Sequence, residues 1–340
     1  MMNLLKNKII VAIIFFIIGI VAGVFISRVY ISKSSPQATY NVRQGGYNFI
    51  NPLLSCNTSE DKQFIEYQPI ADKFKEYIEQ HISNGDAQNI SVYFRSLNNG
   101  NWSGVNENDT FSPASLLKVP LMITYLKETE TNPGILNQQI TYHQKTDGNA
   151  IEVYKPKKFI EDGKTYTINN LLRYMIFYSD NNAAQLLEDN VDKNSLTEIF
   201  SDLGIPVSSS TSQDIITPKA YSYLFRILYN ATYLTKPMSQ YALELLTFAD
   251  FSEGIKRGIP ADVPSAQKFG ERTVLNKNLV TDKTTFSIRE LHDCGIIYYP
   301  KNPYLLCIMT KGNDFSKLSK IISDLSAIVY KESESGVLKI

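Results

Sequence analysis

The stretch FSPASLLKVPL, residues 111–121, is the part of this 340-residue chain from which its fold and chemistry are best inferred. Ser112 is of a residue type that caps helix amino termini, and the proline after it suits the first helical position, which predicts a helix over residues 113–127. Ser115 then lies in the first turn, where the helix dipole is positive and backbone N–H groups lack partners within the helix. Lys118 follows on the same face. A serine nucleophile needs a base, and a lysine whose pKa is lowered by burial or by a nearby cation can serve.

The S-x-x-K pattern is weak by itself, because short motifs arise by chance in a chain of this length. It occurs three times here, at Ser59/Lys62, Ser115/Lys118 and Ser265/Lys268. Only Ser115 stands at a predicted helix start with an apolar continuation over residues 119–125, whereas Ser59 ends a polar segment and Ser265 precedes a predicted strand. The alternative for Ser115 is an ordinary serine in a first helical turn, with an exposed lysine beside it.

A second candidate motif is Ser179-Asp180-Asn181, which lies between two apolar helical runs and occurs once in the chain. Residues of these types at a helix junction ordinarily cap the helix, which is the alternative explanation. In the catalytic interpretation, the Ser179 hydroxyl relays a proton and the Asn181 side-chain amide holds a substrate carbonyl.

The third candidate element is Lys268-Phe269-Gly270-Glu271 on a predicted strand. We expect Lys268 to bind a substrate carboxylate and to help lower the pKa of the S-x-x-K lysine. Gly270 allows close approach of the substrate. The backbone N–H of Glu271, together with that of the S-x-x-K serine, would form an oxyanion hole.

A rival for Lys268 is Lys283, in the stretch Asp282-Lys283-Thr284-Thr285, which offers the hydroxyl groups that suit a carboxylate site. Lys283 lies in a polar loop, whereas Lys268 lies in a stretch with apolar flanks and a glycine at the right offset. Lys268 is therefore the preferred cation.

The pattern along the rest of the chain predicts strands near both ends of the domain and helices between them. Strands are predicted at residues 90–96, 102–105, 266–273, 294–299 and 304–310, and helices at residues 62–82, 168–178, 194–203, 217–234, 237–248 and 315–330. An antiparallel sheet that is built from both termini and flanked by helices is an α+β arrangement. The middle helices would form an all-helical lobe.

Charge and composition exclude several classes of function. Five basic residues and no acidic residue precede residue 60, so that residues 60–340 carry 34 acidic and 29 basic residues, a net charge of −5. A domain of that sign has no basic surplus to displace phosphate counterions, and we expect no nucleic-acid partner. Three cysteines without a C-x-x-C pair and three histidines without H-E-x-x-H spacing argue against zinc. Cys294 and Cys307, on the two arms of one predicted hairpin, are interpreted as buried small apolar residues rather than as a disulfide.

The amino terminus predicts a membrane anchor. Residues 9–26 carry no charged side chain and would extend about 27 Å as a helix, close to the roughly 30 Å of a bilayer core. Lys6 and Lys8 before them indicate a cytoplasmic amino terminus. The alternative is a cleaved signal peptide. We assign residues 1–30 to the anchor, residues 31–59 to an extracytoplasmic spacer with a candidate entry strand at 48–56, and residues 60–340 to a domain outside the cytoplasm.

The three motifs resemble a known set. Ser115-x-x-Lys118, Ser179-Asp180-Asn181 and Lys268-Phe269-Gly270, in this order, resemble the S-x-x-K, S-D-N and K-T-G motifs of class A β-lactamases and penicillin-binding proteins. The likeness covers about residues 60–335. It implies a β-lactamase/transpeptidase-like fold, a transient acyl group on Ser115 with Lys118 as its activator, and Ser179 as a proton relay. It also implies Asn181 and Lys268 as substrate ligands, and neither a metal nor an organic cofactor.

Two departures from this pattern concern the site. Class A enzymes carry a Glu and an Asn on a loop after the S-D-N helix, which position the deacylating water, but no E-x-x-x-N pattern follows here. Asp214 is the nearest acid that could replace that Glu, although it is interpreted first as a helix cap. Phe269 replaces the Thr of K-T-G, which removes a hydroxyl and adds an aromatic wall. We therefore expect intact acylation and impaired deacylation.

The leading interpretation is a membrane-anchored, monomeric serine hydrolase that opens β-lactam rings through an acyl-Ser115 intermediate. A D,D-peptidase acting on D-Ala-D-Ala-type cell-wall peptides shares the acylation step and is the nearest alternative. A pseudoenzyme that binds the cell wall or a partner, without turnover, is the third.

Overall fold

The computed structural model describes residues 42–55, 67–205, 215–277 and 284–336, together with the single residue Gly19. Apart from Gly19, the predicted anchor at residues 9–26 lies outside the described residues, as does the candidate acid Asp214. Within those ranges, no helix combines the length and the apolar character needed to cross a membrane.

Strands and helices follow one another in an order close to the predicted one. They are β1 (Val42–Arg43), β2 (Leu53–Ser55), α1 (Gln68–Ser83), β3 (Asn89–Ser96), β4 (Trp102–Val105), α2 (Lys118–Glu128), β5 (Gln139–Thr141), β6 (Thr165–Thr167), α3 (Ile168–Phe177), α4 (Asn181–Asn190), α5 (Lys193–Asp202), α6 (Pro218–Asn230), α7 (Lys236–Thr247), β7 (Ser265–Lys277), β8 (Thr284–Ile297), β9 (Tyr304–Gly312) and α8 (Phe315–Ser335). Short 3₁₀ helices lie at Ala114–Leu117, Ile135–Asn137 and Ile255–Gly258. The predicted α+β arrangement is confirmed.

The central sheet has five antiparallel strands in the order β4-β3-β9-β8-β7. Two of its strands come from the early part of the chain and three from the late part, as predicted. Cys294 on β8 lies opposite Cys307 on β9, with their Cα atoms 4.0 Å apart, and the two form a disulfide. The interpretation of these cysteines as unlinked apolar residues is therefore wrong, because the register of the hairpin brings them face to face.

The central sheet is covered on both faces. Its middle strand is β9, the last strand in the chain, which is therefore buried on both sides. Along β9, Cys307 and Met309 belong to the core beneath the helical lobe, whereas Leu306 and Ile308 pack with α1 and α8 on the other face. A strand that is buried on both faces becomes a nearly continuous apolar run, as the segment YLLCIM at the start of β9 is.

Helix α2 runs through the helical lobe and is buried on every side. All nine residues from Lys118 to Leu126 are buried. Two tyrosine hydroxyls secure it, because Tyr125 donates to the Leu187 carbonyl at 2.7 Å and Tyr221 donates to the Leu116 carbonyl at 2.9 Å. A helix that is apolar all round has to be enclosed. The two hydrogen bonds tie α2 and the turn before it to α4 and α6.

Part of the predicted spacer packs onto this domain. Strands β1 and β2 pair with each other, and Ile50 between them is buried. The Asn51 N–H donates to the Tyr229 carbonyl at 2.8 Å, and the Tyr298 hydroxyl donates to the Phe49 carbonyl at 3.0 Å. The folded domain therefore includes residues 42–55, which lie before the predicted boundary at residue 60.

Candidate active site

The turn that carries Ser115 is a 3₁₀ helix, Ala114–Leu117, that runs directly into α2. The prediction that Ser112 caps this helix is wrong, because the N-cap position is Pro113. Ser112 is buried, and side chains from β8 bind its backbone: its N–H donates to Glu290 Oε2 at 3.0 Å, and its carbonyl lies 3.0 Å from His292 Nε2. The carbonyl can only accept, so this ring nitrogen carries the proton. The helix start is thus held by the sheet rather than by a cap.

Strand β7 passes directly against the same turn. A Cβ atom added at Gly270 would lie 3.1 Å from Leu116 Cγ and 3.2 Å from the Pro113 carbonyl oxygen. In the structure Gly270 makes room for the Ser115 turn, and its role in the close approach of a substrate stays a prediction. Ser115 itself is partly exposed. The contact therefore places the serine beside the strand and leaves it open on another side.

Lys118 is buried and donates three hydrogen bonds. Its Nζ lies 2.5 Å from the Ser179 carbonyl oxygen, 3.1 Å from Ser179 Oγ and 2.6 Å from Asn181 Oδ1. Burial lowers the pKa of Lys118 to about 8, although the nearby carboxyls, Glu152 first among them, act in the opposite direction. In the described part of the chain, no hydrogen bond joins this amine to the Ser115 hydroxyl. Proton transfer between them thus needs a side-chain rotation or an intervening atom.

Lys268 reaches the same hydroxyl from the sheet. Its Nζ donates to Ser179 Oγ at 2.9 Å and to the Phe269 carbonyl at 2.8 Å, and the side chain is fully buried. Burial, and then the charge of Lys118, hold the pKa of Lys268 well below its ordinary value. We expected Lys268 to lower the pKa of Lys118. Burial is the first cause of the lowered pKa at Lys118, and the repulsion between two protonated amines, which is mutual, is a cause at Lys268.

The three residues of the S-D-N segment make different contacts. Ser179 has a φ of 57°, in the left-handed region, which turns both its carbonyl and its hydroxyl toward the amines. Asp180 is the N-cap of α4 and is buried, with hydrogen bonds from the N–H groups of Asn182 and Ile160 and from the Asn149 side chain. The capping explanation thus holds for Asp180, while Ser179 and Asn181 face Lys118.

Two carboxyl groups in the site carry roles that the motifs did not reveal. Asn181 Nδ2 donates to Glu152 Oε1 at 2.7 Å. The buried side chain of Glu271 accepts from the backbone N–H groups of Val153 at 3.1 Å and Tyr154 at 2.8 Å. Burial, and then the hydrogen bond and charge of Glu152, raise the pKa of Glu271 to about 7. Glu152 belongs to no motif and lies far from the three motifs in the chain, so only the folded structure reveals it.

The Phe269 side chain is buried among other aromatic rings and does not form an exposed wall of the site. Its ring stacks on Phe251 with centroids 4.1 Å apart, and Tyr154 meets Phe251 edge-on at 5.1 Å. Lys268 Nζ lies 4.3 Å from the centre of the Phe269 ring. An aromatic cluster therefore occupies the position where the K-T-G pattern has a hydroxyl. Across the described ranges, no three His, Cys, Asp or Glu side chains are grouped to hold a metal ion.

The family of the chain follows from a sequence comparison. The model of a family described as "Beta-lactamase enzyme family" matches residues 71–333, which is most of the chain. The chain therefore belongs to the β-lactamase enzyme family and is a serine hydrolase of the β-lactamase type. A search of curated protein sequences finds no match.

Solved structures share the fold. PBP-A, as a variant in an acyl-enzyme complex with penicillin G, is 18% identical with a TM-score of 0.63, covering 79% of this chain and 97% of its own. A β-lactamase from Sphaerobacter thermophilus is 18% identical with a TM-score of 0.63, covering 78% of this chain and 97% of its own. The TLA-3 extended-spectrum β-lactamase is 18% identical with a TM-score of 0.64, covering 77% and 99%.

Proposed function

We propose that this chain is a serine acyl-transfer enzyme that opens β-lactam rings through an acyl-Ser115 intermediate. The observation that carries the proposal is the shared Ser179 hydroxyl, which accepts hydrogen bonds from Lys118 at 3.1 Å and from Lys268 at 2.9 Å. Two buried amines on one oxygen disfavour double protonation, so a neutral amine is available as a base close to neutral pH.

In the proposed reaction, the Ser115 oxygen attacks the lactam carbonyl carbon while neutral Lys118 takes the hydroxyl proton. The lactam C–N bond then breaks as Ser179 gives its hydroxyl proton to the ring nitrogen and takes a proton from Lys118 in turn, which returns Lys118 to its neutral form and leaves Ser115 esterified. Ser179 suits this relay because its oxygen already accepts from both amines, so its own proton is available to the substrate. The N–H groups of Ser115 and Glu271 are the proposed oxyanion hole, and the Asn181 amide is the proposed ligand of a substrate carbonyl.

A D,D-peptidase acting on D-Ala-D-Ala-type peptides is the second candidate. The observation that favours it is the missing E-x-x-x-N pattern, because water then has no carboxylate and amide to position it for release of the acyl group. If water does release the acyl group, Asp214 is the proposed substitute base. The packed Phe269 cluster leaves no K-T-G hydroxyl for a substrate carboxylate, which β-lactams and D-Ala-D-Ala peptides both carry, so it does not separate the two candidates. Both enzymes would form the same acyl-serine, and they differ in how fast water releases it.

A labelling experiment separates the candidates. The full chain in detergent is mixed with a chromogenic cephalosporin and, separately, with a fluorescent penicillin, with Ser115→Ala as the matched control. Colour that develops over many turnovers supports the lactamase, and covalent fluorescence without turnover supports the peptidase. An unlabelled wild-type protein, or label that persists in Ser115→Ala, would contradict both and leave the binding pseudoenzyme.

We also propose that residues 9–26 anchor the protein in the cell membrane, with a monomeric domain outside the cytoplasm. The uncharged run of residues 9–26 supports the anchor. The Cys294–Cys307 disulfide supports the location, because disulfides persist mainly in oxidising compartments. Protease added to intact cells should digest the domain, and removal of residues 1–30 should abolish its recovery in the membrane fraction. A domain that is protected in intact cells and digested only after lysis would refute this location.

A further inference from the structure

The segment of residues 148–154, here called the strap, joins the two sides of the candidate site. On one side, Asn181 Nδ2 donates to the Gly148 carbonyl at 3.0 Å and to Glu152 Oε1 at 2.7 Å. On the other side, the N–H groups of Val153 and Tyr154 donate to the Glu271 carboxyl on β7. A substrate that lies along β7 and binds Asn181 must therefore replace contacts that the strap now makes.

Glu152 has no cation of its own within this arrangement. Across the described residues, no lysine or arginine forms an ion pair with Glu152 or Glu271. The three donors of Lys118 point at Ser179 and Asn181. The amine of Lys155, the residue after the strap, donates to the Asn149 and Ala150 carbonyls. When a substrate carbonyl takes the Asn181 amide, Glu152 thus loses this donor and keeps its contact with the Glu271 carboxyl, which leaves two neighbouring carboxyl groups without an ion-paired cation.

We propose that Glu152, together with Glu271, is a specificity-determining residue. It selects acyl donors that carry an ammonium group on the carbon next to the carbonyl bound by Asn181. This inference rests on the proposed acylation of Ser115. An ammonium at that position replaces the lost Asn181 donor and supplies the charge that Glu152 lacks. A substrate with hydrogen there leaves the two carboxyl groups without a cation, and a substrate with a carboxylate there adds repulsion between like charges.

Three penicillins test this inference, because they share one nucleus and differ on the side-chain carbon next to the amide carbonyl. Ampicillin has an ammonium there, benzylpenicillin a hydrogen, and carbenicillin a carboxylate. Second-order acylation rate constants are measured on the full chain in detergent, at a pH of about 6.5, which lies below the ordinary α-amino pKa of about 7.7–8.0. We expect ampicillin to react about tenfold faster than benzylpenicillin, and carbenicillin to be the slowest.

The variant Glu152→Gln removes the charge and keeps the shape, and it should bring the three rate constants to within about threefold of one another. Glu161→Gln is the matched control, because Glu161 lies on the same loop but is exposed and pairs with Lys164. That control should keep the wild-type order. Equal rates in the wild type, a preference for carbenicillin, or an ampicillin preference that survives in Glu152→Gln would overturn the inference. If none of the three penicillins acylates Ser115, the proposed function fails instead.

Discussion

The pH dependence of acylation tests whether Lys118 is the base that activates Ser115. Burial lowers the pKa of this amine to about 8. With that pKa, about 1% of the enzyme holds a neutral lysine at pH 6 and about half does at pH 8. If neutral Lys118 takes the Ser115 proton, the acylation rate constant should rise about fiftyfold between these two pH values. Above pH 8 it should rise by less than about twofold, because the amine is then mostly neutral.

An exposed lysine behaves differently, since its pKa of about 10.4 would let the rate rise about tenfold per pH unit up to pH 10. The position of the break in the profile therefore reports the environment of Lys118. The assay is rapid-quench labelling with a fluorescent penicillin across pH 5.5–10, with the protein fold monitored at each pH by circular dichroism.

Lys118→Arg is the matched variant, because arginine keeps a cation and hydrogen-bond donors but cannot release its proton in this range. We expect its acylation rate to fall on the order of a hundredfold or more and to lose the break near pH 8. A wild-type rate that is flat from pH 6 to pH 10, or one that keeps rising tenfold per unit above pH 9, would refute the assignment of Lys118 as the base.

Three further predictions follow from contacts around the site. Ser179→Ala removes the hydroxyl that accepts from both amines, so acylation measured by rapid quench should slow by about a hundredfold or more, and an unchanged rate would exclude the relay. Gly270→Ala forces a Cβ to within 3.1 Å of Leu116 Cγ and should lower the free energy of unfolding by about 1–3 kcal/mol in urea titrations, whereas a stability equal to wild type would contradict the close packing. Buried Asp293 has its pKa raised from 3.8 to about 7, so its contribution to stability is complete below pH 4 and is lost as the pH rises to 7. Asp293→Asn keeps an acceptor for the Ile255 N–H without titrating, so its stability relative to wild type should improve between pH 5 and pH 7.5, and a constant difference would argue against this pKa.

Hydrophobicity and turn patterns predicted the strands of the sheet well, because these patterns depend on residues that are neighbours in the chain. The alternation and apolar runs of residues 90–96 and 304–310 became β3 and β9, and turn residues indicated the hairpins that flank them. The three motifs indicated the side chains that gather at Ser179, since the residues of each motif lie close together in the chain. Lys268 lies beside Ser179 even though 89 residues separate the two in the chain, and its role as a substrate ligand stays a prediction.

Features that depend on contacts between distant elements escaped prediction. The Cys294–Cys307 disulfide depends on the register of β8 with β9, which composition does not reveal. Ser112 has the right residue type for a cap, but Glu290 and the histidine two residues after it on β8 bind its backbone instead. Glu152 lies in the site only because the strap runs between Asn181 and β7. The strap carries no sequence motif that would have predicted this position.

The central claim is that Ser115 becomes covalently acylated, and mass spectrometry of the digested protein tests it most directly. The full chain is incubated with benzylpenicillin, quenched in acid, digested and compared with Ser115→Ala treated in the same way. The account predicts that the peptide containing Ser115 gains the mass of one whole penicillin, because ring opening expels no atoms, and that this gain is missing from the variant. A Ser115 peptide that stays unmodified, or an adduct that maps to another residue and remains in Ser115→Ala, would contradict the account.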